Sequence, residues 1–309
     1  MKFSVIIPFY DLERYARSCL DSVLAAVRGR EDQVEVICVD DGSKDRTPRI
    51  LDEYASRYPF VKTIHKSNGG EGAARNVGLA AAKGDWLMFL DGDDVWLPDV
   101  LVCAARTIVG HPEADIVNFR LQPFSGDDVP SGTDGDCRVY DTRRDLPSDV
   151  VLRVGVVPTC FRREVFGDMR FGDLPLGADR LYAAECLVRA KSVVLSTACV
   201  YGYRTRSASM SQAVWNTRKI VSMIDYAAGS LRVLSESGKE VGREGVAYLA
   251  DVLLSVARKQ IFRMRENRDE AVRHWREALL AMDVRLLPSG CRVRRILALT
   301  LCRLICFSV

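Results

Sequence analysis

The sequence carries little net charge of either sign. Its 44 Lys and Arg against 41 Asp and Glu give a formal charge of +3, too small to argue for a nucleic-acid partner. It lacks any apolar run as long as a membrane-spanning helix requires. Met1-Lys2 runs straight into the strand-like Phe3 to Pro8, too short for a signal-peptide core and without a small-residue cleavage site. The expectation is a cytoplasmic chain. Its 10 cysteines include no C-x-x-C pair, and several sit inside apolar runs, as reduced buried thiols do. The three histidines, His65, His111 and His274, fall in no metal-ligand spacing. No Gly-Lys-Ser/Thr phosphate loop occurs. Gly70-x-Gly72 begins like a dinucleotide fingerprint, but Arg75 stands where the third small residue belongs, which excludes a Rossmann cofactor site.

What is present is an ordinary globular composition, 48% hydrophobic and 28% charged over 309 residues, enough for one large domain and a smaller one. Four short apolar stretches open the chain: Phe3 to Pro8, Val34 to Val39, Val61 to His65 and Trp86 to Leu90. Helical patterns separate them. Leu12 to Arg28 carries Ala16, Leu20, Leu24 and Val27 on one face; a second helix opens at Thr47-Pro48, read as N-cap and first turn; a third, rich in small residues, leaves the glycine-rich loop Asn68 to Gly72 and runs to about Lys83. Strand alternating with helix predicts a parallel α/β sheet. Farther on, a helix is expected over Pro98 to Val109, strands over Asp115 to Leu121, Val156 to Phe161 and Ser192 to Tyr203, and a helix after Asp179. Beyond Ser211 the period is helical.

The chain is organised around Gly84 to Asp94. There an apolar run ends in three carboxylates within four residues, Asp91, Asp93 and Asp94. In an open α/β sheet ligands bind beyond the carboxyl ends of the strands. Carboxylates this close repel unless a cation or donors offset them, and Mg²⁺ or Mn²⁺ suits such oxygen ligands together with phosphate. The alternative is a solvated Asp-Gly hairpin turn. Val95 and Trp96 exclude an EF-hand loop.

Four motifs occur in order: Ser4-Val-Ile-Ile-Pro-Phe-Tyr10, Val39-Asp-Asp-Gly-Ser-x-Asp45, Ala74-Arg-Asn-x-Gly-Leu79 and Phe89-Leu-Asp-Gly-Asp-Asp94. Together they resemble the family 2 glycosyltransferases, over about residues 1–211 and most closely over 1–100. The resemblance implies a GT-A fold, a mixed, mostly parallel sheet flanked by helices, as a catalytic domain over 1–211, with 212–309 as a helical C-terminal region. It implies an inverting transfer from a nucleotide-diphosphate sugar, most often a UDP-sugar, to a hydroxyl of a glycan or lipid-linked glycan in surface polysaccharide synthesis. Pro8 and Tyr10 would wall the base pocket. Asp40 and Asp41 would face the base, Asp41 best matching the acceptor of the uracil N3–H. Arg75 and Asn76 would lie near the diphosphate, where a guanidinium suits phosphate oxygens. Asp91 would contact the ribose or a metal-bound water, and Asp93 would bind Mn²⁺ or Mg²⁺. Asp179 would be the general base, although Ala178 stands where the family has Glu. Tyr203 and Arg204, followed by Ser207, Ser209 and Ser211, resemble a segment that folds over the diphosphate.

Two other readings stay open. A nucleotidyltransferase would want a glycine-rich basic loop after the first strand, and Pro8 to Asp11 is not one. A catalytically inactive GT-A scaffold has the Ala178 replacement as its support. Finally, Arg292 to Val309 interleaves Arg292, Arg294, Arg295 and Arg303 with Ile, Leu and Phe. It reads either as a helix lying on an anionic membrane face or as one packed on the fold.

Overall fold

The computed structural model describes residues 1–126, 128–205, 216–251, 269, 272–275 and 277. It divides into two compact units. The first comprises Met1–Thr142, Val154–Asp173 and Arg189–Ala213; the second comprises Arg143–Arg153, Leu174–Val188 and the described residues from Val214 on.

In the first unit, β1 (Phe3–Phe9), α1 (Ala16–Val27), β2 (Val34–Asp40), α2 (Thr47–Arg57), β3 (Val61–His65), α3 (Glu71–Ala81) and β4 (Trp86–Phe89) alternate, as the apolar runs predict. Every residue of β1, β2 and β4 is buried, which is why these strands read as unbroken apolar runs. All four strands pair in parallel, in the order β3-β2-β1-β4. Val5 and Ile7 pack with the buried faces of α1, α2 and the later α4 (Val100–Gly110), while Ile37 and Val39 point to the opposite face, against Ala74 of α3. The sheet is therefore covered on both sides, and the C-terminal ends of β1, β2 and β4 lie at one edge.

The sheet continues through β5 (Val95–Trp96), α4 (Val100–Gly110), β6 (Ile116–Phe124) and β7 (Cys137–Asp141). The second unit then supplies β8 (Asp145–Leu146) and α5 (Ser148–Arg153). The first unit resumes with β9 (Thr159–Arg162) and α6 (Arg163–Phe166); α7 (Ala178–Arg189) follows, and β10 (Ser192–Arg204) completes the sheet. The full order is β3-β2-β1-β4-β9-β6-β10-β5, with β7 also paired to β10. Strand β9 runs antiparallel to both neighbours, so the sheet is mixed. Irregularities between Leu195 and Tyr201 let β10 take β7 on its first half and β5 on its second. This is the GT-A architecture.

The second unit adds α8 (Thr217–Glu236), β11 (Glu240–Val241) and α9 (Arg243–Asp251). Strand β11 pairs in parallel with β8, and Ser148 Oγ accepts the Glu244 N–H at 3.1 Å. Among the described residues no helix is long and apolar enough to cross a membrane. The stretch 292–309, with Ser207, Ser209 and Ser211, lies outside the described residues.

Two element starts differ from expectation. Helix α1 begins at Ala16 rather than Leu12; the Leu12 and Glu13 amides ahead of it donate to Thr47 Oγ1 (2.8 Å) and Asp45 Oδ2 (2.9 Å). That bond also removes Thr47 from the expected N-cap role. It is the first residue of α2, and its own amide donates to Asp45 Oδ1 at 2.9 Å.

Candidate active site

The end of β1 passes through buried Phe9 into Tyr10, which is 48% exposed, and Asp11, held at φ 51°. Asp11 is fixed from the β2 side: its amide donates to Ser43 Oγ, and its carboxylate accepts the Lys44 N–H at 2.6 Å. Pro8 is buried within β1, and Tyr10 follows its end.

Asp40 and Asp41 are both buried at the end of β2. Asp40 accepts the Ser43 N–H at 3.0 Å and faces His65 Nδ1 at 3.0 Å. That hydrogen bond raises the His65 pKa above its ordinary value. Asp41 accepts from Lys66 Nζ at 2.6 Å, from the Gly69 amide at 2.9 Å and from the Gly70 amide at 2.7 Å. Asp41 therefore anchors the 66–70 loop, and a base using this carboxylate shares it with Lys66 or displaces it.

Arg75 and Asn76 part company. Arg75 is 3% exposed and bridges Glu71 Oε1 (2.8 Å) and Asp91 Oδ1 (2.7 Å), with its guanidinium 5.4 Å from the Phe171 ring. It reaches the carboxylate turn through Asp91. Asn76 meets the backbone of the same Phe171. Its amide group accepts the Phe171 N–H at 2.8 Å and donates to the Phe171 carbonyl at 2.9 Å. These bonds commit Asn76 to holding the Phe171 backbone.

Asp91 to Asp94 form a turn closed by the Asp94 amide on the Asp91 carbonyl at 2.9 Å. Gly92 is required there: a Cβ would lie 2.6 Å from the Phe9 ring and 2.8 Å from the Pro8 carbonyl oxygen. Asp91 and Asp93 are half-buried, whereas Asp94 is 1% exposed. The Tyr201 hydroxyl donates to Asp94 Oδ2 at 2.7 Å and accepts the Asp91 amide at 3.2 Å. The Arg204 amide donates to Asp94 Oδ1 at 2.7 Å. Burial, then the charges of Asp91 and Asp93, push the Asp94 carboxyl up to about 8.

The motif resemblance puts Arg204 at the diphosphate. Its guanidinium instead faces inward, with Nε donating to the Asp93 carbonyl at 2.9 Å, Nη1 to the Gly126 carbonyl and Nη2 to Ser18 Oγ at 3.1 Å. It stacks 4.5 Å from the Phe124 ring and 5.5 Å from Tyr15. Arg204 braces the carboxylate turn from behind. Tyr203 is half-buried against the core. Tyr201 opens the same segment as Tyr203 and Arg204, but sequence reasoning misses its hydrogen bonds to the turn and the inward role of Asp94; the signal was the strand alternation that sends Tyr201 and Tyr203 to the same side.

A divalent cation can be tested against these residues. Among the described residues no group of three or more His, Cys, Asp or Glu is gathered to hold a metal. Asp91 and Asp93 nevertheless offer hard oxygen donors at a turn whose charge Arg75 offsets only in part. Mg²⁺ and Mn²⁺ sites built on one or two carboxylates, completed by substrate phosphates, need no more protein than this. The residues fit such an ion.

Asp179 is the second residue of α7, half-buried, in the second unit. The Gly177 carbonyl accepts from the Arg180 and Leu181 amides, so Gly177 rather than Asp179 caps the helix.

The fold and the carboxylate turn at the strand ends define a glycosyltransferase of the GT-A class. The model of Glycosyl transferase family 2 matches residues 4–167, just over half of the 309-residue chain, and the chain belongs to this family. It is 25% identical over 274 residues to glycosyltransferase GlyA of Streptococcus pneumoniae, across 84% of this chain and 38% of that one. It is 30% identical over 222 residues to the putative glycosyltransferase EpsH of Bacillus subtilis, across 68% of this chain and 62% of that one. It therefore spans less than two thirds of either relative. Staphylococcus aureus TarS, a poly(ribitol-phosphate) β-N-acetylglucosaminyltransferase, has been solved with UDP-GlcNAc. That structure superposes with a TM-score of 0.72 at 25% identity, covering 93% of this chain and 83% of the other.

Proposed function

We propose that this chain is an inverting glycosyltransferase that moves a sugar from a UDP-sugar to a hydroxyl of a glycan, polyol-phosphate or lipid-linked glycan in surface polysaccharide synthesis. The carrying observation is the Asp91–Asp94 turn at the C-terminal end of β4, braced by Tyr201 and Arg204, in a fold shared with a protein solved with UDP-GlcNAc. Pro8 and Tyr10 wall the base, and Asp40 and Asp41 set the loops around it. Asp91 and Asp93 would hold Mn²⁺ or Mg²⁺, which when bound supplies charge neutralisation for the leaving diphosphate. Arg75 keeps Asp91 oriented. Asp179 takes the proton of the acceptor hydroxyl, a role worth about 10²–10⁴-fold in rate, and attack on the face opposite the diphosphate inverts the anomeric centre. In this reading the domain over 1–211 is catalytic, and 212–309 contacts the acceptor or, through 292–309, the cytoplasmic membrane face.

The test is UDP or GDP release from a panel of nucleotide sugars, with Mn²⁺ and with chelator. Hydrolysis of one UDP-sugar that stops on chelation supports the reading. A donor panel that is neither bound nor turned over moves the weight to a scaffold function.

A further inference from the structure

The family match ends at residue 167, before Asp179 and before α8. Yet α8 grips the loop that leads into Asp179. Ser222, 1% exposed, donates its hydroxyl to the Leu176 carbonyl at 2.6 Å and accepts the Leu176 N–H at 2.9 Å. One side chain thus satisfies both backbone groups of Leu176, as a strand partner would. One turn on, the Tyr226 ring lies against Gly177: a Cβ at that position would sit 2.8 Å from it. Gly177 has φ +85°, a conformation side-chain-bearing residues rarely adopt. A further turn on, the Leu181 side chain packs over Gly229. Ser222, Tyr226 and Gly229 follow i, i+4, i+7 spacing, so they form one stripe of α8. That stripe holds residues on both sides of Asp179, at Leu176–Gly177 and at Leu181. An apolar side chain at 222 would bury equal surface without fixing the loop's register; the hydroxyl fixes it.

We propose that Ser222 and Tyr226 are positioning residues for Asp179, setting where its carboxylate stands when it takes the acceptor proton. This rests on the reading of Asp179 as general base. A small displacement of a reacting group can cost on the order of 10²-fold in rate, so loss of the hydroxyl clamp should be visible in kcat.

The test compares Ser222→Thr with Ser222→Val, which add equal bulk and differ in the hydroxyl, so any effect of crowding on the fold is common to both. Two readouts are taken: amide exchange across residues 174–181, and the kcat and KM of UDP release from UDP-GlcNAc with Mn²⁺, or from the donor the panel selects. Relative to the Thr variant, the Val variant is expected to exchange about tenfold faster at Leu176, to lose about tenfold in kcat and to keep its donor KM within twofold. In an Asp179→Asn background the kcat difference between the two should vanish. Equal kcat for the Thr and Val variants, beside an Asp179→Asn enzyme that is itself disabled, overturns the proposal alone, as does a difference that persists in that background. An Asp179→Asn enzyme with full kcat overturns the base reading and the proposal with it.

Discussion

Two strand ends in this molecule carry neighbouring carboxylates, and they balance charge in opposite ways. At the end of β2, Asp40 and Asp41 meet His65, Lys66 and three backbone amides within 3.0 Å. At the end of β4, Asp91, Asp93 and Asp94 meet Arg75, the Tyr201 hydroxyl and the Arg204 amide, and burial, followed by the charges of Asp91 and Asp93, lifts the Asp94 carboxyl to about 8. A satisfied pair holds structure. A cluster of carboxylates at the C-terminal end of a sheet strand offers hard oxygen donors to a cation.

The largest effect that would sharpen this contrast is at Asp93. Asp93→Ala should lower UDP release by about 10²–10³-fold, in line with loss of one group that stabilises developing charge, while thermal denaturation stays near wild type. Unchanged turnover would reduce the β4 turn to scaffolding. At β2 the order reverses. Asp41→Ala removes the acceptor for Lys66, Gly69 and Gly70 and should cost about 2–4 kcal/mol in urea unfolding; a cost under about 0.5 kcal/mol would mean that the pair is not structural. Tyr201→Phe deletes the hydroxyl that joins Asp94 to the Asp91 amide and should cost about 1–2 kcal/mol, with a larger fractional loss in kcat than in donor affinity. The smallest effect is the share of His65 in the pH dependence. His65 is partly exposed and its pKa is raised in the fold by Asp40, so its contribution is complete below its ordinary value of about 6.5 and fades as pH rises through the raised value. Stability measured from pH 6 to 9 should decline, mainly because the folded Asp94 carboxyl holds up to about pH 8 a proton that the unfolded chain has already lost, and His65→Gln should remove only a small part of that decline. An equal decline in that variant would assign that part elsewhere.

The contrast was only half legible in the sequence. Buried runs ending in acidic residues mark both strand ends, because strands covered on both faces leave no polar alternation. What balances each cluster comes from far along the chain: Lys66 lies 25 residues from Asp41, and Tyr201 lies 107 from Asp94. No local period encodes such pairs. Asn76 shows the same limit, since its partner Phe171 is 95 residues away. The strands that escaped sequence reading are the two-residue β5, β8 and β11 and the exposed β7, whose residues are exposed except Tyr140. None is long enough, or buried enough on one face, to leave an alternating pattern. Helix starts were misplaced where side chains of a distant segment, Thr47 and Asp45, meet the backbone just ahead of the helix, which no local period encodes.

The central claim is that the β4 turn is completed by a cation and a diphosphate while the β2 pair is complete in itself. Calorimetric titration of UDP into the wild type and Asp93→Ala, each with Mn²⁺ and with chelator, tests it most directly. The account predicts that Mn²⁺ tightens UDP binding to the wild type by about tenfold or more, roughly 1.4 kcal/mol, and leaves the variant's affinity unchanged. Metal-independent UDP binding by the wild type, or full metal dependence in Asp93→Ala, would contradict it.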